Sequence, residues 1–247
     1  MIGIMMCTDM SKRFAYLMIV LWCYICPVSS KTYMVSVGVA DYPGTKNDLK
    51  LSDHDALTMR NLYEKNCQAD VAILINDKAK LSDVTRQMKS QFEKASKDDV
   101  IILYFSGHGI PGGFMCYNQR LYYNTIYKLM SSSQARSKIV LADACFSGKA
   151  RKAGKRGNVR KDGNVMFFLS SRTNEKSLEY RNWKNGVFTA YLDRGLRGGA
   201  DTDGNRIITA RELFKYVSEG VKAATNNLQH PVMWGKFDNE MPVMIWK

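Results

Sequence analysis

A chain of 247 residues, 45% of them hydrophobic, is long enough for one α/β domain with a sizeable core, and no internal repeat divides it. The formal charge of +13 raises the question of an anionic partner, nucleic acid or a membrane surface. No helix-turn-helix, zinc-finger or RNP pattern accompanies that charge, so nucleic-acid binding is set aside as the main role.

Residues 1–30 have the pattern of a targeting segment. Lys12-Arg13 precedes an apolar stretch from Phe14 to Val28, and Ser29-Ser30 follow before Lys31. That stretch is short for a membrane span, so a cleaved signal peptide is expected, with an uncleaved N-terminal anchor as the alternative. Met10 would make an economical start. Removal of this segment leaves Cys67, Cys116 and Cys145, an odd number, and hence at least one free thiol in an exported protein.

From Tyr33 to Ala40 the pattern predicts a first strand, broken by Asp41-Tyr42-Pro43-Gly44. Helical spacing of apolar residues follows over Leu49–Cys67, opening on Ser52-Asp53-His54-Asp55. Carboxylates there suit a helix start, where they meet the positive end of the dipole. A strand over Val71–Ile75, a helix over Leu81–Ala95 and a strand over Val100–Phe105 come next. This alternation implies right-handed βαβ units and a parallel sheet. The third strand runs into Ser106-Gly107-His108-Gly109, and a loop and a hairpin over Phe114–Leu121 are expected beyond it.

Lys138 to Ala142 reads as another short buried strand, and it delivers Asp143-Ala144-Cys145 before the turn at Ser147-Gly148. Two adjacent strand ends would thus bring an imidazole and a thiol to one rim. Thiol catalysis needs that pair: the thiolate is the nucleophile, and a neighbouring histidine activates it. The amides of Gly109 and Cys145 could face a developing oxyanion. The bland reading of Cys145 is an inert core thiol, and that of Asp143 a hydrogen-bonded structural carboxylate.

Lys149, Arg151, Lys152, Lys155, Arg156, Arg160 and Lys161 crowd the segment 149–161, with glycines between them, which reads as a solvated loop open to proteolysis. A strand over Val165–Leu169, a helix over Val187–Leu196 and a helix over Ala210–Ala223 follow, and Pro242–Trp246 is expected to close the sheet as its last strand. Asp201-Thr202-Asp203-Gly204-Asn205, with Thr209 and Glu212, superficially resembles a calcium loop, but Arg206 stands where such loops require glycine. A turn capping the next helix is expected instead. His230, before Pro231, is read as structural.

The segments Tyr104-Phe105-Ser106-Gly107-His108-Gly109 and Asp143-Ala144-Cys145-Phe146-Ser147-Gly148 resemble the histidine and cysteine motifs of the caspase-like peptidases. The likeness is closer to the metacaspase and bacterial orthocaspase branch than to animal caspases, whose signature is Gln-Ala-Cys-x-Gly. It extends from about Tyr33 to the C-terminus, through Asn185-Gly186-Val187-Phe188-Thr189 and Gln229-His230-Pro231.

The resemblance implies a three-layer αβα domain over residues 31–247, with a mainly parallel sheet of about six strands. It implies a cysteine endopeptidase in which His108 and Cys145 form the dyad, and a pocket of Asp55, Ser106 and Asp143 that selects Arg or Lys before the scissile bond. The basic segment 149–161 would join a larger and a smaller half and be self-cleaved. Relatives that need calcium carry several acidic residues after the histidine. Here no Asp or Glu occurs between Gly109 and Ser137, so that calcium site is expected to be absent, and no cofactor is expected, with calcium as the less favoured alternative. The expected partner is a peptide or protein substrate, the expected state a monomer, and the expected location secreted or periplasmic. A caspase-fold interaction module, binding an anionic partner with little turnover, is the alternative.

Overall fold

The computed structural model describes residues 30–144, 164–172, 175, 177–180 and 182–246. Cys145, the basic segment 149–161 and residues 1–29 of the targeting segment lie outside the described residues. No described helix is long and apolar enough to cross a membrane.

Strands β1 (Thr32–Gly38), β2 (Asp70–Ile75), β3 (Val100–Gly107), β7 (Ser137–Ala144) and β8 (Val165–Leu169) pair in parallel, and β10 (Val232–Gly235) joins β8 antiparallel at one edge. The spatial order is β10-β8-β7-β3-β1-β2. Every residue of β3 and β7 is buried, which is why Val100–Phe105 and Ile139–Ala142 read as unbroken apolar runs: helices cover the sheet on both faces.

Alternation along β3 assigns the faces. Val100, Ile102 and Tyr104 point into a cluster with helices α1 (Ser52–Cys67), α4 (Val187–Arg194) and α5 (Ala210–Ala224). Ile101, Leu103 and Phe105 point into the other, with α2 (Leu81–Phe92) and α3 (Tyr123–Ser131). In β7, Ile139 and Leu141 join the first cluster. One step of two further, Ser106 and Asp143 continue these stripes as polar residues, and they are register partners. The sheet thus ends, on its α1 and α4 side, in a hydroxyl beside a carboxylate.

Several elements differ from expectation. Pro242–Ile245 (β11) does not close the main sheet; it pairs antiparallel with β9 (Ile207–Thr209) in a separate two-stranded ribbon. The edge place goes to β10, where Trp234 stacks on Phe167 with ring centroids 4.1 Å apart. The expected hairpin is a three-stranded sheet of β4 (Gly109–Ile110), β5 (Gly113–Met115) and β6 (Arg120–Tyr122). It runs directly into α3, which buries Tyr123, Ile126 and Met130. Helix α2 stops at Phe92, short of Ala95, and α4 gives way to a π-helical turn over Gly195–Gly199.

Ahead of α5, Thr209 and Glu212 form a reciprocal capping box. The second Glu212 oxygen accepts from the Thr202 amide at 3.0 Å and its hydroxyl at 2.7 Å. Burial pushes this carboxyl up, but the hydrogen bonds from Thr209 and Thr202 outweigh it and hold Glu212 at about 2. Asp201, Asp203 and Glu212 have oxygens within 4.8 Å of one another, and each accepts hydrogen bonds from the chain itself. The cap expected ahead of this helix is present.

Candidate active site

His108 leaves the carboxyl end of β3 immediately after Gly107, whose φ of 157° and lack of a side chain bring Tyr42 close; a Cβ there would stand 2.8 Å from the Tyr42 hydroxyl. That hydroxyl accepts from the His108 amide at 2.9 Å and donates to the Met115 carbonyl at 3.0 Å. The Tyr42 and His108 rings lie 4.8 Å apart. Burial pushes the Tyr42 phenol above its ordinary range, so it remains a neutral donor.

The imidazole has a further partner that no sequence motif announces. Its Nε2 lies 2.7 Å from the Asn47 carbonyl oxygen. A carbonyl only accepts, so Nε2 carries the hydrogen and the neutral ring is left with Nδ1 as its acceptor. The sequence offered no third group to orient His108; a backbone oxygen supplies it.

Asp55 is 1% exposed and is no helix cap: the residue preceding α1 is Leu51, and the Asp55 side chain turns inward. One carboxylate oxygen accepts from Ser106 Oγ at 2.8 Å. The other accepts from Asn185 Nδ2 at 2.9 Å and the Gly186 amide at 3.0 Å. Asp143, also buried, accepts from the Thr189 amide at 3.1 Å and its hydroxyl at 2.9 Å. Thr189 is in turn bonded to the Tyr104 hydroxyl at 2.6 Å. The Asn185-Gly186-Val187-Phe188-Thr189 segment therefore serves both acids: its amides and side chains fasten them from the start of α4.

Burial raises the pKa of both carboxyls, and for Asp55 the charge of Asp143 adds to the effect. With Ser106, Ser177, Glu179 and Gly186 they line one cavity of about 200 Å³. Glu179 is the acid that sequence reasoning left without a role. It lies in an irregular segment with no periodicity to place it, half-buried, accepting from the backbone at Lys50 and Leu51. Burial, then the charge of Asp143, raises its pKa too. No Lys or Arg lines this cavity among the described residues. Three acids of raised proton affinity without a lining cation form a site that a guanidinium or ammonium group would satisfy.

Of the residues singled out in the sequence, Asp55, Ser106 and Asp143 are thus brought together, and His108 and Gly109 stand at the rim beside them, beyond Gly107. Cys145, expected as nucleophile and as the second oxyanion donor, lies outside the described residues, as do Lys149, Arg151, Lys152, Lys155, Arg156, Arg160 and Lys161. His54 is exposed at the start of α1. His230 is tied through its amide and Nδ1 to Glu175, at 2.8 and 2.9 Å, as a structural residue would be.

This six-stranded sheet with helices on both faces has the caspase-like fold. The sequence matches the caspase domain over residues 33–240, and the chain belongs to that family of peptidases, which act on peptide or protein substrates. No curated protein matches the sequence. Among solved structures, a protein from Geobacter sulfurreducens is similar at TM-score 0.67 and 15% identity, covering 88% of this chain and 100% of that one. Caspase-1 from Spodoptera frugiperda is similar at TM-score 0.64 and 12% identity, covering 89% and 91%. A structure described as pro-sf-caspase-1 gives 0.65 and 11%, covering 88% and 92%. At these identities the likeness speaks for the fold.

Proposed function

We propose that the chain is a cysteine endopeptidase of the metacaspase and orthocaspase kind, cleaving after Arg or Lys. The observation that carries this reading is the convergence of Asp55, Asp143 and Glu179 on one cavity beside His108. A long cationic side chain entering it meets carboxylates on several sides, whereas an Asp side chain meets like charge.

In this reading Nδ1 of His108, left as the acceptor by the Nε2 bond to Asn47, takes the proton of Cys145, the residue that follows Ala144. The thiolate attacks the scissile carbonyl, and a carbon–sulfur bond forms. The imidazolium returns its proton to the leaving amine as the carbon–nitrogen bond breaks. Water then hydrolyses the thioester. The amides of Gly109 and Cys145 are the proposed oxyanion donors. No step needs a metal or another cofactor.

The basic segment 149–161 carries the side chains this cavity favours, so self-cleavage there between a larger and a smaller half is part of the proposal, as are export by residues 1–30 and action as a monomer. The test is a panel of fluorogenic peptides with Arg, Lys, Ala or Asp before the bond, given to the full chain and its Cys145→Ala variant. Hydrolysis after Arg and Lys that depends on Cys145 supports the reading. Best hydrolysis after Asp refutes the specificity, and a chain inactive on every peptide returns the interaction-module alternative.

A further inference from the structure

A second recess opens at His108 and shares no lining residue with the acid cavity. It measures about 380 Å³; Tyr42, Pro43, Ile110, Met115 and Tyr117 form its mainly apolar walls beside His108, and Asn47 and Asn118 add uncharged polar groups. Among the described residues, no Asp, Glu, Lys or Arg lines it. The two cavities meet at consecutive residues: Gly107 borders the acid one, His108 and Gly109 the apolar one.

The walls are held in place by the chain. Met115 donates its amide to the His108 carbonyl at 2.9 Å, and its own carbonyl accepts from the Tyr42 hydroxyl at 3.0 Å. The Tyr117 amide donates to the Ala79 carbonyl at 2.9 Å. The recess is thereby a preformed feature, which lowers the ordering cost of filling it.

We propose that this recess receives the side chain of the residue following the scissile bond and selects an aliphatic or aromatic one. The inference rests on the peptidase reading above. If His108 protonates the leaving amine, that nitrogen comes within hydrogen-bond reach of the imidazole, and the residue it belongs to is seated on the imidazole's side. With a cationic side chain in the acid cavity, the peptide runs across Gly107 and His108, and its next side chain meets the apolar walls. An acidic or basic side chain there finds no partner charge among the described residues.

The experiment uses the full chain and two kinds of substrate. One is a peptide ending in Arg-aminomethylcoumarin, which has no following residue. The other is a peptide series with Arg before the bond and Phe, Leu, Gly, Asp or Lys after it, read by mass spectrometry. The expected result is cleavage of the coumarin substrate, with kcat/KM for Phe and Leu about tenfold or more above Asp and Lys. Tyr117→Ala is expected to lower the Phe-to-Gly ratio by roughly fivefold. Coumarin release together with values equal within about twofold across the series overturns this inference and leaves the acid cavity's role intact. Cleavage of none of the substrates overturns the peptidase reading, and the inference falls with it.

Discussion

Asp55 and Asp143 are held against the same glycine. A Cβ added at Gly186 would stand 2.5 Å from one oxygen of Asp143 and 3.2 Å from one of Asp55. The residue between the two acids has no room for a side chain, and its own amide is one of the donors that Asp55 uses.

Gly186→Ala is accordingly expected to push the two carboxylates off their partners. The expected cost is about 1–3 kcal/mol of stability, as for overpacking elsewhere in a protein interior. Thermal unfolding measures this directly. Activity on Arg peptides should fall further than stability explains, and a variant with wild-type Tm and wild-type kcat/KM would show that the glycine is dispensable.

Asp143→Asn tests the tension in the pair. Because burial raises the folded pKa of Asp143, the folded state binds the proton more tightly than the unfolded state does. The resulting penalty is absent below the unfolded value of about 3.9 and grows as pH rises from there through the folded value. An Asn oxygen can still accept from Thr189, so this variant should unfold at higher temperature than wild type at pH 7.5 and at the same temperature below about pH 4. Its kcat/KM on Arg peptides should fall at least about tenfold, since a charged hydrogen bond to the guanidinium contributes roughly 1.5–3 kcal/mol. Equal Tm values at pH 7.5 would argue against a penalty from the buried charge.

Glu212 is expected to behave in the opposite sense. Its folded pKa, near 2, lies below the unfolded value of about 4.3, so its stabilising contribution is present above that value and is lost as pH falls toward 2. Glu212→Ala removes the capping box and the tie to Thr202, for an expected loss of about 1 kcal/mol, or roughly 2–4 °C in Tm at pH 7. The difference from wild type should narrow in acid, which a Tm series from pH 6 to pH 2.5 would reveal.

Tyr42→Phe keeps the ring beside His108 and deletes the hydroxyl that the His108 amide and the Met115 carbonyl share. Leaving such groups unpaired costs about 1–3 kcal/mol, and the expected reading is a fall in kcat of roughly fivefold or more with KM little changed. A pH–rate profile that moves along with kcat would show the tyrosine acting through the imidazole. A loss confined to KM would place its effect on substrate binding instead.

The parts of this site that could be read from the sequence are those carried by regular strands. Asp143 stands two residues before Cys145 on a strand whose period of two fixes the face, so its side followed from counting, and Ser106, which entered through the resemblance, ends the neighbouring stripe in register with it. Asp55 was legible only through the resemblance, since a carboxylate near a helix start has a commoner use. Glu179 was legible only as part of a Ser-x-Glu segment like that of relatives, and its role was not, because the segment has no period to place it. Helix α3 escaped because it starts straight from β6, with no capping side chain to mark the boundary. The closing strand was misassigned because two short apolar runs, Val232–Gly235 and Pro242–Ile245, compete for one edge, and stacking of Trp234 on Phe167 favours the first.

The bond from His108 Nε2 to Asn47 ends on a main-chain oxygen. Every amino acid at position 47 carries that oxygen, so replacing the asparagine side chain leaves the acceptor in the chain. An alanine scan would pass over it in silence. The information that orients the imidazole is stored in the path of the 41–48 segment, in the Tyr42 amide's bond to Asp48 and in a φ of 80° at Gly44. Changes to that path, such as a one-residue deletion or Gly44→Val, are where a loss of imidazole alignment should first be visible.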